Sequence, residues 1–268
     1  MRFIAILFLF LTVNSATAHD SSRYHHNWKV GLGITAASLA VAGAGGYCYL
    51  ALDKPLSLLE VATLDPSDIN PLDRSATERY SPAALTASHV FSYGSLALPF
   101  ALLSMKQVRK DWLYMGFMYA EVGLLTFGIT EITKAASGRI RPLSYNPSFA
   151  LDVRVEAESR KSFFSGHTAN SAAFCFLAAR IFADHSDNKV AKALVWTGAA
   201  TIPAVTGFLR YWGGKHFPTD IITGYIVGGA IGYFVPYLHR KRWKDDRLSV
   251  LPFGGLGSQA GLCVLYRL

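Results

Sequence analysis

The second half of the chain is mostly apolar, but three short polar clusters interrupt it. The clusters are Lys134 with Arg141-Pro142, then Ser165-Gly166-His167, then Arg210 with His216 and Asp220. Cations of this kind neutralise the oxygens of a phosphoryl group, and histidine is suited both to attack phosphorus and to protonate a leaving oxygen. Together the residue types predict hydrolysis of a phosphate ester.

Each cluster is weakly specific when it stands alone. A serine-glycine-histidine run is often a plain turn, and a histidine four residues before an aspartate is more often a local hydrogen bond than a catalytic pair. The combination is more informative, because all three clusters occur in order and each lies at the boundary of an apolar segment.

The spacing of the clusters resembles that of the type 2 phosphatidic acid phosphatase (PAP2) superfamily, which also includes bacterial non-specific acid phosphatases and vanadium haloperoxidases. The matching segments are Lys134–Pro142, Phe164–His167 and Arg210–Asp220, which follow K-x6-R-P, S-G-H and R-x5-H-x3-D. Two positions depart from the family pattern. Phe164 stands where the family usually has proline, and Leu209 where it usually has serine.

The resemblance implies a role for each catalytic residue. His216 would be the nucleophile, forming a phosphohistidine that splits one displacement into two. Asp220, one helical turn further on, could hold the imidazole in the attacking tautomer. His167 would protonate the leaving oxygen and then activate water.

The remaining motif residues are expected to bind the substrate phosphate. Lys134, Arg141 and Arg210 would neutralise its oxygens in the transition state, so no metal and no cofactor is expected. Ser165 and the Gly166 amide precede a helix, whose N-terminus is a natural anion site. The sequence also offers secondary candidates: Glu121 as an ionisable group in an apolar helix, Glu131 as an ion-pair partner of Lys134, Arg139 as a substrate or headgroup contact, and Lys215 as a modulator of the pKa of His216.

The clusters must be positioned by apolar helices. Hydrophobic residues make up 51% of the 268 residues and charged residues 16%, which is more apolar than an ordinary soluble domain. Six helix-like segments recur at Val30–Leu52, Ser92–Met105, Trp112–Thr133, Thr168–Ala183, Ala193–Phe208 and Ile221–Leu238. Each is short or marginal against the ~20 residues of a membrane span. We expect an all-α, six-helix PAP2-type bundle that is largely membrane-embedded.

Three further patterns concern helix packing, a connecting loop and the C-terminal tail. Gly224, Gly228 and Gly232 form overlapping G-x-x-x-G steps, which predict close approach of a neighbouring helix. The polar, proline-containing stretch from Asp53 to Ser88 is expected to be a loop with short helical pieces. Residues 248–268 are glycine-rich between β-prone runs and predict a small C-terminal β-hairpin.

The N-terminus has the charged start, short apolar run and A-x-A end of a signal peptide at residues 1–18, or of an uncleaved anchor. Residues 19–247 would then form the phosphatase domain and 248–268 the β-rich tail. The net charge is +8, but the basic residues form no stripe along the sequence, which argues against nucleic acid as a partner. Basic residues at 106–110 and 239–244 predict cytoplasmic segments, and hence a bacterial inner-membrane protein whose site faces the periplasm. A cleaved signal peptide and a membrane-spanning segment Val30–Leu52 conflict with this topology. Either the first helix packs on the bundle without spanning, or the whole bundle is periplasmic and only membrane-associated.

The expected activity is therefore a metal-independent phosphatase acting on a phosphorylated lipid in the membrane. Lipid A, undecaprenyl pyrophosphate and phosphatidate are candidate substrates. Lipid A is favoured, because the segment Ser162–Thr168 resembles that of Bacteroidetes-like envelope members of the family. The alternatives are a secreted non-specific acid phosphatase acting on small phosphomonoesters, a haloperoxidase, or a non-catalytic lipid-binding protein. The oligomeric state is left open.

Overall fold

The computed structural model describes residues 23–24, 28–51, 54–240, 248–254 and 260–266. Within these residues six long helices follow one another along the chain, as predicted. They are α1 (Trp28–Ala51), α2 (Pro82–Ala101), α3 (Trp112–Ser137), α4 (Gly166–His185), α5 (Lys189–Trp212) and α6 (Pro218–His239). The predicted signal peptide lies outside the described residues.

Short elements connect the long helices. One- or two-turn α-helices are found at Leu58–Ala62, Pro71–Arg74, Lys106–Arg109, Pro142–Tyr145 and Leu151–Val155, and 3-10 turns at Pro66–Asp68, Ser75–Glu78, Leu102–Ser104 and Ala157–Arg160. Where a C-terminal hairpin was predicted, β1 (Leu248–Gly254) pairs antiparallel with β2 (Ala260–Tyr266), with Leu248 opposite Tyr266.

The start of α2 differs from the prediction. The helix begins at Pro82 and not at Ser92, so the predicted loop is shorter than expected. The Ser81 hydroxyl accepts a hydrogen bond from the Ala84 amide at 3.2 Å, and proline at the first helical position costs nothing because its missing N–H would have no partner there. Ser81-Pro82, inside the predicted loop, is thus a helix start. As a consequence His89 lies on a helix.

Helix α4 occupies the centre of the bundle and packs against α2, α3, α5 and α6. Its contact with α6 depends on the three glycines that the sequence analysis singled out. A Cβ atom added to Gly224, Gly228 or Gly232 would lie 2.6, 2.0 and 2.1 Å from the carbonyl oxygens of Ser165, Ala169 and Ala173, respectively. The predicted role in close helix packing is confirmed.

Helix α1 packs on α3 at one glycine pair and is otherwise largely exposed. A Cβ on Gly45 would lie 2.6 Å from the Gly128 Cα, whereas Gly43 and Gly46 have open space around them. Tyr47 and Leu50 on the outer face are 76% and 74% exposed. Three of the described segments are long and apolar enough to cross a membrane, namely 31–51, 112–145 and 218–239. The first helix, whose crossing the sequence analysis questioned, is one of them.

A buried polar network ties together the end of the bundle that lies away from the three motifs. Asp184 accepts hydrogen bonds from the Tyr24 hydroxyl and the Arg180 guanidinium, both at 3.2 Å. The His185 ring bonds to Asp111 at 2.9 Å. Tyr24 therefore holds the chain just before α1 beside the C-terminal end of α4.

Glu121, a functional candidate from the sequence, belongs to a second link between helices. It accepts a hydrogen bond from the Thr35 hydroxyl at 2.6 Å, and its other oxygen bonds to His239 at 2.7 Å. Because these partners lie on α1 and α6, the carboxylate connects three helices and does not join the cluster formed by the motifs.

Candidate active site

His216 lies in the tight loop between α5 and α6. The loop turns at Gly214, whose φ of 68° and close approach to the Arg79 carbonyl oxygen, 2.3 Å from an added Cβ, require glycine. The His216 side chain is buried, and its Nδ1 lies 2.9 Å from the Ser162 carbonyl oxygen. A carbonyl can only accept, so Nδ1 carries the proton and Nε2 of the neutral ring keeps its lone pair.

Asp220 is fully buried and holds the loop by several hydrogen bonds. Its Oδ2 accepts from the Ser162 hydroxyl at 2.6 Å and from the Phe217 amide at 2.9 Å, and its Oδ1 accepts from Arg139 at 2.6 Å. Its distance to His216 Nδ1 is 3.6 Å, which is longer than a hydrogen bond. The direct contact expected from the sequence is replaced by the Ser162 carbonyl, and Asp220 acts on the imidazole through Ser162 and through its negative charge.

Arg139 bridges two buried carboxylates. It donates to Asp220 and, at 2.8 Å, to Asp73, and its guanidinium lies 4.1 Å from the centre of the Phe217 ring. Asp73 also accepts from the amide and hydroxyl of Thr219 at 3.0 and 2.7 Å. The side chain of Arg139 is therefore committed to positioning the start of α6, whereas the sequence suggested a substrate contact.

Lys134 and the N-terminus of α4 lie together. Lys134 is buried in the last turn of α3, with Nζ 2.8 Å from Glu131, so the predicted ion pair is present. Ser165 is the N-cap of α4, and its amide donates to the Asp220 carbonyl at 3.0 Å. A Cβ on Gly166 would lie only 3.6 Å from Lys134 Nζ. An ammonium group and the free amides of a helix N-terminus thus lie side by side, a favourable environment for an anion.

Arg141 and Arg210 are buried cations whose hydrogen-bonding capacity is not used up. Arg141 Nη2 donates to Glu158 at 3.0 Å, and Arg210 Nη1 has a long contact of 3.4 Å with the Ser88 hydroxyl. In both side chains Nε is buried without a hydrogen-bond partner in the described part of the chain. Buried donors are normally satisfied, so these two indicate a site for an acceptor group.

His167 is the second residue of α4 and is paired with another histidine. Its Nε2 lies 3.0 Å from Nδ1 of His89 on α2, and the ring centres are 4.8 Å apart in an edge-to-face arrangement. The Ser92 hydroxyl donates to the His167 carbonyl oxygen at 3.3 Å. Both contacts come from the same face of α2.

The electrostatics of the site favour neutral histidines and a bound anion. Burial and the charges of Arg141 and Arg210 hold the pKa of His216 well below its usual range. Burial and the charge of Arg210 lower the pKa of His167 to about 2. Burial and the charges of Arg141 and Arg210 also lower the pKa of Lys215 to about 8. The charges of the same cluster of cations lower the pKa of each group, so the motif residues form one site.

The structure brings together all the residues that the sequence predicted for the site: His216, His167, Asp220, Lys134, Arg141, Ser165, Gly166 and Arg210. Sequence reasoning missed Ser162, Asp73 and the contact made by His89. The position of Asp73 could have been predicted, because Asn70-Pro71 marks a helix start like Ser81-Pro82. The Asn70 side chain accepts a hydrogen bond from the Asp73 amide.

An apolar groove of about 440 Å³ lies between α5 and α6, the two helices that flank the loop with His216. Its walls include Phe208, Tyr211, Ile222 and Ile226. Tyr211 follows Arg210 in the chain and hydrogen-bonds through its hydroxyl to Ser75 at 3.1 Å. The groove therefore runs along the outer side of the elements that carry Arg210 and His216.

Comparisons with known proteins show the family of the chain. The PAP2 superfamily model matches residues 111–244, half of the chain. The chain is 31% identical over 155 residues to a lipid A 4'-phosphatase of Porphyromonas gingivalis, covering 56% of this chain and 62% of that protein. It is 33% identical over 138 residues to a PA-phosphatase related-family protein of Dictyostelium discoideum, covering 46% and 49%. The chain thus spans about half to three fifths of these relatives.

A solved structure shows a more distant similarity. A transmembrane PAP2-type phosphatidylglycerolphosphate phosphatase from Bacillus subtilis aligns with a TM-score of 0.43 and 19% identity, covering 87% of this chain and 94% of that one. The family model spans the described segment from Asp111 to Arg240, which contains His216, His167 and the three cations that the sequence predicts to bind phosphate. The chain belongs to the PAP2 superfamily.

Proposed function

We propose that this protein is a phosphatase that hydrolyses the phosphate of a lipid-linked substrate through a phosphohistidine on His216. The observation that carries the proposal is that Arg141 and Arg210, the cations that act on a neutral His216, each keep a buried Nε with no hydrogen-bond partner among the described residues. A tetrahedral phosphate would satisfy both donors and complete the neutralisation of the cluster.

In the first step the Nε2 lone pair of His216 attacks phosphorus. A P–N bond forms as the P–O bond to the leaving group breaks, and the released electron pair goes to the leaving oxygen. His167 donates a proton to that oxygen. The phosphate charge opposes the cations that lower the pKa of His167, so substrate binding promotes the protonated ring that this step requires.

In the second step water attacks phosphorus and passes a proton to His167. The P–N bond breaks, its electron pair returns to Nε2, and inorganic phosphate leaves. Both histidines regain their starting protonation states. Asp220, 3.6 Å from His216 Nδ1, stabilises the positive charge that develops on the ring. Lys134, Arg141 and Arg210 neutralise the phosphoryl oxygens, a task that Mg²⁺ performs in kinases.

The surroundings of the site support a lipid-linked substrate. The groove between α5 and α6 is apolar and suits an acyl chain, and α6 is long and apolar enough to cross the bilayer. The named relative is a lipid A 4'-phosphatase, so we place lipid A first among the candidates, before undecaprenyl pyrophosphate and phosphatidate. We assign residues 19–247 as the phosphatase domain, followed by the β-rich tail 248–268.

The test measures phosphate release by the detergent-purified chain from lipid A, undecaprenyl pyrophosphate, phosphatidate and p-nitrophenyl phosphate, with and without EDTA. We expect preference for one lipid and no loss with EDTA. His216→Gln, which keeps the size of the side chain, is expected to remove turnover without lowering the unfolding temperature. Preference for p-nitrophenyl phosphate would favour the acid phosphatase alternative. Wild-type activity in a folded His216→Gln protein would exclude the mechanism.

The intermediate can be sought directly. His167→Ala should accumulate a phosphorylated protein from an aryl phosphate, because the first step proceeds with a good leaving group while the second lacks its base. The phosphoryl group should be stable to alkali and labile to acid, as expected for phosphohistidine. The double variant with His216→Gln should carry no label, and a labelled double variant would show that another residue is the nucleophile.

A further inference from the structure

Outside the family motifs, α2 presents one polar face to the site. Ser88, His89 and Ser92 lie one turn or less apart, and each contacts a motif residue: Ser88 contacts Arg210, and the other two contact His167. His89 is the titratable member of this set. Its ring stacks on Tyr93 of the same helix, with centres 5.8 Å apart and planes at 13°.

We propose that His89 is a positioning residue that accepts a hydrogen bond from Nε2 of His167 and so presents Nδ1 of His167 to the leaving group. This inference rests on the proposed function, in which His167 acts as acid and then as base. Nothing in the family pattern of K-x6-R-P, S-G-H and R-x5-H-x3-D includes His89.

The two neutral imidazoles of His89 and His167 share a single proton across 3.0 Å. If His89 donated, its proton would occupy the Nε2 lone pair of His167, and Nδ1 of His167 would already carry a proton in the neutral ring. Such a ring could not take up a further proton without breaking the contact. If His167 donates from Nε2, its Nδ1 is free to carry a proton or release it while the contact persists.

The surroundings of His89 favour the acceptor role. The charged groups that face it are Arg210 on α5 and Lys215 in the loop that follows, while His167 on α4 and Tyr93 on α2 are uncharged neighbours. Burial and these two cations lower the pKa of His89. The neutral ring can accept at Nδ1, whereas a protonated ring could only donate.

The contact with His89 also restricts the orientation of the His167 ring. His89 holds the ring of His167 and Ser92 holds its backbone carbonyl, both from α2. An imidazole anchored at Nε2 can turn only about the line to His89, which limits where Nδ1 points. Positioning of this kind matters most when proton transfer must coincide with bond cleavage.

The experiment uses the full-length chain in detergent and a series of phosphate monoesters with leaving groups from p-nitrophenol to a simple alkyl alcohol. A nitrophenolate departs without a proton, but an alkoxide needs one. We expect His89→Ala to lower kcat/KM, which reports the first step, by about tenfold to a hundredfold on the alkyl ester, within the ~10²–10⁴-fold contribution of a general acid. On p-nitrophenyl phosphate kcat/KM should stay within about threefold of wild type, since little of that contribution is used in the first step there.

Two variants separate positioning from packing. His89→Asn places an amide oxygen near the position of Nδ1 and should restore most of the alkyl-ester activity. Tyr93→Phe keeps the stacked ring and should show the wild-type dependence on leaving group. The inference is overturned if His89→Ala follows the wild-type dependence, or if it slows both ester classes equally and asparagine does not restore them. A wild-type protein inactive on every ester would instead overturn the proposed function.

Discussion

At the scale of single residues, one backbone carbonyl defines the state of the proposed nucleophile. The Ser162 carbonyl oxygen accepts from His216 Nδ1, while the Ser162 hydroxyl donates to Asp220. The same residue thus fixes the imidazole tautomer through its backbone and orients the carboxylate through its side chain. A substitution of the side chain separates the two effects, because the carbonyl is retained.

We expect Ser162→Ala to lower kcat on an aryl phosphate by roughly tenfold, since Asp220 loses one of its hydrogen bonds but keeps its charge and its contacts with Arg139 and Phe217. Asp220→Asn removes the charge and should cost more than about a hundredfold, by analogy with the aspartate of a catalytic triad. Steady-state kinetics of both variants check that the loss of kcat is larger for Asp220→Asn, and unfolding temperatures serve as controls. Equal losses would mean that the hydroxyl is as important as the charge.

Lys215 gives the site a dependence on pH. Its pKa of about 8 means that the side chain is an ammonium below that pH and an amine above it. The attraction of Lys215 for an anion is therefore present at neutral pH and is lost as the pH rises through about 8. The inhibition constant of inorganic phosphate should rise from about pH 8 to 9, a range above the second ionisation of phosphate near neutrality, so that the inhibitor stays mainly a dianion while Lys215 loses its proton.

Lys215→Arg and Lys215→Gln form the matched pair for this prediction. Arginine stays charged, so phosphate inhibition should remain strong to higher pH. Glutamine should weaken inhibition at pH 7 and remove the change near pH 8. A glutamine variant that keeps the wild-type pH profile would assign the titration to another group.

What the sequence could predict at this scale was limited to side chains. The types and spacing of Lys134, His167, Arg210 and His216 indicate phosphoryl chemistry, because few other reactions need those groups together. The role of the Ser162 carbonyl could not be predicted from residue type, since every residue has a backbone carbonyl. His89 was not placed because its partner is 78 positions away in the chain and its helix was predicted to begin after it.

At the scale of elements, α6 reaches α4 through backbone-to-backbone contact. The Cβ of an alanine at Gly228 would lie 2.0 Å from the Ala169 carbonyl oxygen, and no side-chain rotation can relieve that overlap. The helices would have to move apart near Ser165, whose amide holds the Asp220 carbonyl. Stability and site geometry are therefore coupled through this interface.

Gly228→Ala should lower the free energy of unfolding by about 2 kcal/mol or more, within the range for overpacked cores, and should reduce kcat with it. Gly229→Ala is the control, because its added Cβ would meet the Phe176 ring at an ordinary 3.7 Å and alanine favours helix over glycine. Thermal unfolding in detergent compares the two. Equal stability would show that the helices adjust freely at this contact.

Helix prediction succeeded and failed for definite reasons. The boundaries of α3 to α6 were found within a few residues, because apolar segments there end at polar motifs. The start of α2 was missed since Pro82 is compatible with both a turn and a first helical position, and the deciding feature is the Ser81 hydroxyl bond to the Ala84 amide. Such a cap is recognised with confidence only when the backbone geometry is known.

At the scale of the whole molecule, the bundle has two chemically different ends. The site end carries His216 and the start of α6, and the opposite end carries Tyr24, whose backbone pairs with Arg240. The chain just before α1 thus lies beside Arg240, the residue that follows α6. If α1 crosses the bilayer, Tyr24 and Arg240 lie on one side of the membrane and the site lies on the other.

Thiol labelling of intact bacterial cells tests this arrangement. Ser67 is exposed in the connection between α1 and α2 at the site end, and Asp187 is exposed between α4 and α5 at the opposite end. Because basic residues favour the cytoplasmic side, we expect a membrane-impermeant maleimide to label Ser67→Cys in intact cells and Asp187→Cys only after permeabilisation. The wild-type chain, with its own three cysteines, gives the background. The reverse pattern would place the site in the cytoplasm. Labelling of both positions from outside would instead favour a bundle attached to the periplasmic face of the membrane, without spans that separate its two ends.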